Sequence, residues 1–211
     1  MLLPGDRTDV SLIVWPKIAF FASLRGAKIG QTGVESVTIM VGRRAFQGNM
    51  TISNQCMRAA FGAFATGVTV VTARADDGRP VAMTVSSFAG VSLDPPLILW
   101  CAQRDVWPFA VFNTTGHFAV HVLHAGQADL AMHFAREIDD KFADIEHRTG
   151  LEGVPILDDY AALFQCRVEQ RLDGGDHAIL LGRVMELDHK PNDALVFHAG
   201  QLGGFDPSSG S

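Results

Sequence analysis

The segment Met83-Thr84-Val85-Ser86-Ser87-Phe88 places three hydroxyls at the end of an apolar run, and Gly90 and Ser92-Leu93-Asp94-Pro95-Pro96 follow it closely. Small hydroxyl residues and exposed backbone N–H groups in such a loop can hold the polar edge of a planar heterocycle, or a phosphate. The plainer alternative is a turn-forming Ser/Thr cluster. Eight histidines raise the question of a metal, but His117 and His121 would share one strand face while His124 falls in a loop. With His133 added, no carboxylate completes a set, so zinc is not expected. Asp139-Asp140 and Asp158-Asp159 read as solvated turn carboxylates. No G-x-S-x-G elbow, H-E-x-x-H pair, G-x-G-x-x-G turn after a strand or G-x-x-x-x-G-K-[ST] loop occurs. Rossmann and P-loop architectures are therefore not supported.

The elements that must position these residues are mostly strands. Ser53 or Asn54 can cap a helix whose apolar positions Met57, Ala60, Phe61 and Phe64 follow helical spacing, with Gly67 placed to end it. Val68–Ala75 alternates and is rich in Val and Thr; Asp76-Asp77-Gly78 turns it into a second strand, Val81–Phe88. A near-continuous apolar strand covers Leu97–Ala102, a short helix Trp107–Phe112, a strand His117–Leu123 and a helix Gln127–Arg136. After a loop rich in Gly and Pro come strands at Leu163–Leu172 and His177–Leu187, joined by Asp173-Gly174-Gly175-Asp176, and a short strand at Leu195–Ala199. The tail from Gln201 onwards, with residues 206–211 at its end, is expected to fray. Hairpin-linked strands with few short helices predict a mainly β chain closed as an antiparallel barrel.

Composition agrees with one globular domain and an appendage. The chain has 211 residues, 47% of them hydrophobic and 19% charged, with a net charge of −6. Residues 1–49 carry six basic and three acidic residues, a net of +3, whereas residues 50–211 carry eleven basic and twenty acidic, a net of −9. The first 49 residues show no clean period and read as an appendage, disordered or an over-long start, before a domain over 50–205. An acidic body with only Lys141 and Lys190 as lysines is a poor surface for nucleic acid. The longest early apolar stretch, Ser11 to Leu24, is broken by Pro16 and Lys17, too short for a membrane span of ~20 residues. Three cysteines without C-x-x-C spacing fit a reducing compartment, hence the cytoplasm.

Six motifs in order carry a resemblance to a known family. Phe64-Ala65-Thr66-Gly67-Val68-Thr69-Val70-Val71-Thr72 closely resembles the opening motif of the flavin reductases with the FMN-binding split-barrel fold. Met83–Phe88 with Val91–Leu97 is similar to that family's flavin-binding segment. Phe118-Ala119-Val120, Phe134-Ala135, Asp140-Lys141-Phe142 and Gly175-Asp176-His177 follow in the family's order. The resemblance implies a homodimeric split β-barrel that moves hydride from NADH or NADPH to FMN or FAD, supplying a separate monooxygenase. It also implies that Thr84, Val85, Ser86 and Ser87 line the isoalloxazine, with Ser92 and Leu93 continuing the wall. Cys101, Ala102, Gln103 and Arg104 would lie along the ribityl phosphate, where a guanidinium suits a bidentate contact. Phe134 and Lys141 would sit near the flavin, Lys141 as the second cation for the phosphate. His177 would stand beside flavin and nicotinamide, although a turn cap is the plainer role. Departures from the family pattern include His121 where Asn is common and Trp107-Pro108 in place of small polar residues. Two rival expectations are a flavin-bound oxidoreductase acting directly on a small substrate, and a noncatalytic flavin- or haem-binding module on the same barrel.

Overall fold

A computed structural model of the chain describes residues 52–205; the expected appendage and frayed tail, residues 1–49 and 206–211, lie outside them. In chain order the elements are α1 (Asn54–Gly62), β1 (Thr66–Gly67), β2 (Thr69–Arg74), β3 (Pro80–Val85), β4 (Ala89–Leu93), β5 (Pro96–Gln103), α2 (Phe109–Phe112), β6 (His117–Val122), α3 (Ala128–Ala135), β7 (His147–Thr149), β8 (Pro155–Leu157), β9 (Ala162–Gly174), β10 (His177–His189), β11 (Leu195–His198) and β12 (Gln201–Gly204). The chain is mainly β, as expected.

Seven strands pair antiparallel in the order β3-β2-β6-β9-β10-β5-β4. Alternation dictates how this sheet curls. Val81, Met83 and Val85 of β3 share one buried cluster with Ile98, Trp100 and Ala102 of β5, near the opposite end of the sheet. The sheet therefore rolls until these strands share a core, without a hydrogen-bonded ladder between them: a barrel split along one side. Phe112 of α2 plugs the interior edge-on to Trp100, with ring centroids 4.9 Å apart. Two register shifts in the β9–β10 ladder, at Leu181/Gly182 and Val184/Glu186, increase the local bend. Gly182 is needed there because a Cβ would lie 2.5 Å from the Phe118 ring.

The other face of β2 and β3 is buried too. Val70 and Ala82 pack under Ala131 and Phe134 of α3, together with Leu195 and Phe197 of β11. This second core ties the small sheet β1-β11-β12 and α3 to the barrel.

Several boundaries differ from expectation. Ser53 caps α1, its hydroxyl accepting from Cys56 N at 3.2 Å, but the helix ends at Gly62 and Gly67 pairs with Val196 in β1. The expected strand 81–88 stops at Val85, and Ala89–Leu93 forms an edge strand where only a turn was anticipated. Residues 201–204 are paired in β12 rather than frayed, because Leu202 opposes Phe197 over the second core. The Gly/Pro loop contains the short hairpin β7–β8. Met57, Phe61 and Phe64, which follow helical spacing, are exposed, and Phe64 lies beyond the end of α1.

Candidate active site

The barrel's open end gathers most of the predicted residues. Beyond β3 the chain runs through Ser86 and Ser87; β5 ends at Gln103; the β9–β10 turn carries Asp176 and His177. Register fixes their proximity, since β5 and β10 pair Cys101 with Ile179 and Gln103 with His177. Between them lies a cavity of about 390 Å³, whose walls include Thr84, Val85, Ser86, Ser87, Cys101, Gln103 and His177.

The mouth is held by specific bonds. Ser87 Oγ accepts from Cys101 N at 2.9 Å, pinning the segment after β3 to β5. Gln103 donates to Asp105. Asp176 lies 2.7 Å from His177 Nδ1, and that hydrogen bond holds the Asp176 carboxyl below the usual carboxylate range. A carboxylate at that distance fixes the imidazole proton on Nδ1 and directs Nε2 away from the turn. The Cys101 thiol is pushed up by burial, so it stays protonated and serves as a wall rather than a nucleophile. Ser86 lines the cavity and has a hydroxyl to offer a ligand.

Other predicted residues stand elsewhere. Ala102 alternates with its neighbours on β5 and points wholly into the core, so only its backbone could serve a ligand. The Thr84 hydroxyl donates to Ala131 O at 2.7 Å, leaving the backbone as its contribution to the cavity. Ser92 and Leu93 lie on the edge strand β4, Leu93 97% exposed, and are not among the residues lining this cavity. Arg104 is committed to the turn that carries His177. Its Nε donates to Gly175 O and His177 O, each at 3.1 Å, and an Nη meets Asp173 at 2.7 Å.

Phe134 and Lys141 line a second cavity of about 690 Å³ between α3, the loop after it and residues 105–108; Met83 lines both cavities. Lys141 Nζ donates to Phe134 O at 2.7 Å, and burial pushes its pKa down to about 8. The lining residues missed by sequence reasoning are chiefly Phe61 and Ile179. Ile179 was recoverable, because period-two alternation places it on the face of His177. Phe61 has the spacing of an ordinary core position, and nothing in the sequence separates it from one.

The first cavity's chemistry suits a flat ring with one polar edge. Phe61, Met83, Val85 and Ile179 supply apolar walls, while Ser86, Ser87, Gln103 and His177 supply polar groups at the rim. Its volume falls within the ~300–1,000 Å³ typical of small-ligand sites. The flavin reductase-like domain family matches residues 61–206. The chain belongs to this family. An FMN reductase (NADH) of Agrobacterium fabrum, SmoA, is 43% identical over 153 residues, covering 72% of this chain and 87% of the relative. A probable flavin reductase of Rhizobium meliloti is 42% identical over 146 residues, 69% of this chain, and the match spans only 47% of that relative's length. Among solved structures, the NADH:FAD oxidoreductase SgcE6 of Streptomyces globisporus, in complex with NAD and FAD fragments, superposes with a TM-score of 0.69. It is 37% identical, covering 74% of this chain and 94% of its own. The family's split barrel is the fold described above, so the fold expected from the motifs holds.

Proposed function

We propose that this protein is an NAD(P)H-dependent flavin reductase, with the first cavity holding the isoalloxazine of FMN or FAD. The observation that carries this reading is the composition of that cavity, apolar walls with a hydroxyl- and imidazole-bearing rim, in a member of the flavin reductase family. A bound flavin would supply the hydride-accepting N5, and a nicotinamide nucleotide the hydride. The protein's part is placement. Backbone groups of residues 84–87 and the Ser86 hydroxyl meet the polar edge, where charge grows on reduction and fixed donors stabilise it. Phe61, Met83 and Ile179 keep the slot dry. His177, oriented by Asp176, presents Nε2 to the nicotinamide side. With Arg104 engaged in the turn, Lys141 is the cation for the flavin phosphate.

Two further features complete the reading. Val91 and Leu93 on β4, Leu172 on β9, and Met185 and Leu187 on β10 are exposed apolar residues, and a second copy of the chain covering some of them would give a homodimer. Relatives named as reductase components of flavin-dependent monooxygenases support a separate oxygenase as the consumer of reduced flavin. No helix among the described residues is long and apolar enough to cross a membrane. The three unpaired cysteines support a cytoplasmic location.

Titration with FMN tests the site, monitored by quenching of flavin fluorescence. Ser86→Val should weaken FMN and riboflavin alike by about 5-fold or more, at the value of one hydrogen bond. Unchanged binding of both would remove Ser86 and its neighbours from the isoalloxazine edge.

A further inference from the structure

His133 stands in the last turn of α3 and is not among the residues lining the second cavity. Its Nε2 lies 2.7 Å from Lys141 O. A carbonyl only accepts, so that nitrogen carries a proton, in the neutral ring and the imidazolium alike. Lys141 returns the contact, its Nζ donating to Phe134 O, on the residue next to His133, at 2.7 Å. The side chain of each residue thus holds backbone at the other's end, and the two bonds close the segment between them into a clamp.

The clamp answers a physical difficulty. A lysine side chain has much rotamer freedom to lose, and a strongly hydrated ammonium favours water over one carbonyl. Phe134 O is among the last carbonyls of α3, which have no helical partner and are open to an outside donor. By fixing the backbone from which Lys141 springs, His133 brings the ammonium to that carbonyl. The bond uses one of three ammonium donors and leaves two for the cavity. Burial there lowers the Lys141 pKa to about 8, while the Glu137 charge raises it. Asp105, Asp139 and Arg79 line the same cavity, Arg79 bound to Asp77 at 2.7 Å and lying 5.5 Å from the Trp107 ring centroid. The helix is in turn registered to the first cavity, because Thr84, which lines it, donates to Ala131 O at 2.7 Å.

We infer that His133 is a positioning residue for Lys141, holding the ammonium at the wall of the second cavity and so setting the protein's preference for a phosphorylated flavin. The preference rests on the reading of Lys141 as the phosphate's cation; the hold on Lys141 does not.

Two measurements on the full chain test this, with His133→Phe, which keeps a ring against Phe134 but has no N–H, and His133→Gln, whose amide can replace Nε2–H. In equilibrium titrations His133→Phe should weaken FMN about 5-fold or more and riboflavin by no more than about 2-fold, and His133→Gln should restore FMN to within about 2-fold. NMR of the 13C-lysine-labelled chain follows Lys17, Lys28, Lys141 and Lys190 without any flavin. The Lys141 midpoint should rise by about one pH unit or more in His133→Phe, towards the ordinary lysine value of about 10.4, and return in His133→Gln. An unmoved Lys141 midpoint, equal losses of FMN and riboflavin, or a Gln variant no better than Phe overturns the inference. Lys141→Ala that binds FMN as tightly as the wild type would instead strike the phosphate reading of Lys141, with the NMR titration still deciding the role of His133.

Discussion

His177 begins β10 immediately after a turn whose Gly175 has φ +77°, a conformation that favours glycine. The turn projects the ring at the cavity, and Asp176 sets its tautomer. His177→Ala should therefore slow NAD(P)H-dependent reduction of bound flavin by ~10-fold or more while leaving flavin affinity within a few-fold. Stopped-flow absorbance on the flavin-loaded variant measures both, and an unchanged rate would return His177 to the role of a turn residue. His121 shows the opposite fate of a histidine. It is wholly buried, its Nδ1 3.1 Å from Val70 O and its Nε2 accepting from Leu157 N at 3.1 Å, so the neutral ring is fully satisfied. Burial pushes its pKa down to about 4, with the Arg148 charge acting in the same direction. The unfolded chain then binds more protons than the folded one between about pH 6.5 and 4, so stability present above 6.5 is lost as pH falls through that window. The difference corresponds to about 3 kcal/mol at its full extent. Denaturant unfolding of wild type and His121→Asn at pH 7 and pH 4.5 should show a shallower loss in the variant; parallel losses would exclude His121 as the source.

At the scale of elements, the β9–β10 hairpin and its brace decide where the site's polar rim stands. Arg104 ties Asp173, Gly175 and His177 into one unit, whereas Lys141 stands across Met83 in the second cavity. The two cations should therefore differ in which flavins they affect. Lys141→Ala should weaken FMN ~10- to 100-fold and riboflavin little, the value of a charge-assisted contact. Arg104→Ala should affect FMN and riboflavin equally, through displacement of the turn. Equilibrium binding of both flavins to both variants checks this; a phosphate-selective loss in Arg104→Ala would put that guanidinium back on the ligand.

Most elements were legible because their signals are local. Alternating Val and Thr wrote β2, the Gly-rich turn wrote the β9–β10 hairpin, and Ser53 wrote the start of α1. What escaped depended on tertiary partners. β4 lies on glycine and a proline turn and exists because β5 pairs with it. β12 forms because Leu202 finds Phe197. The side of β5 that faces the cavity is set by the curl of the whole sheet, which is why Ala102 went to the core while Cys101 and Gln103 reached the cavity. Arg104 carried the right chemistry for a phosphate, and only the fold reveals that backbone carbonyls and Asp173 already occupy it.

At the scale of the molecule, exposed apolar residues on α1, β4, β9 and β10 are the basis for proposing a homodimer. Light scattering at micromolar concentration should give twice the chain mass, and a Leu187→Glu/Met185→Glu double variant should shift it toward the monomer. A flavin-competent monomer in the wild type would contradict the dimer. The central claim, that this barrel passes hydride from a nicotinamide nucleotide to a flavin, is tested most directly by following NADH absorbance in steady state with increasing free FMN or FAD. The account predicts oxidation that rises with added flavin and saturates, and that falls at least tenfold in His177→Ala. A flavin that binds but is never reduced by NADH or NADPH would contradict it, and would make the protein a flavin-binding module.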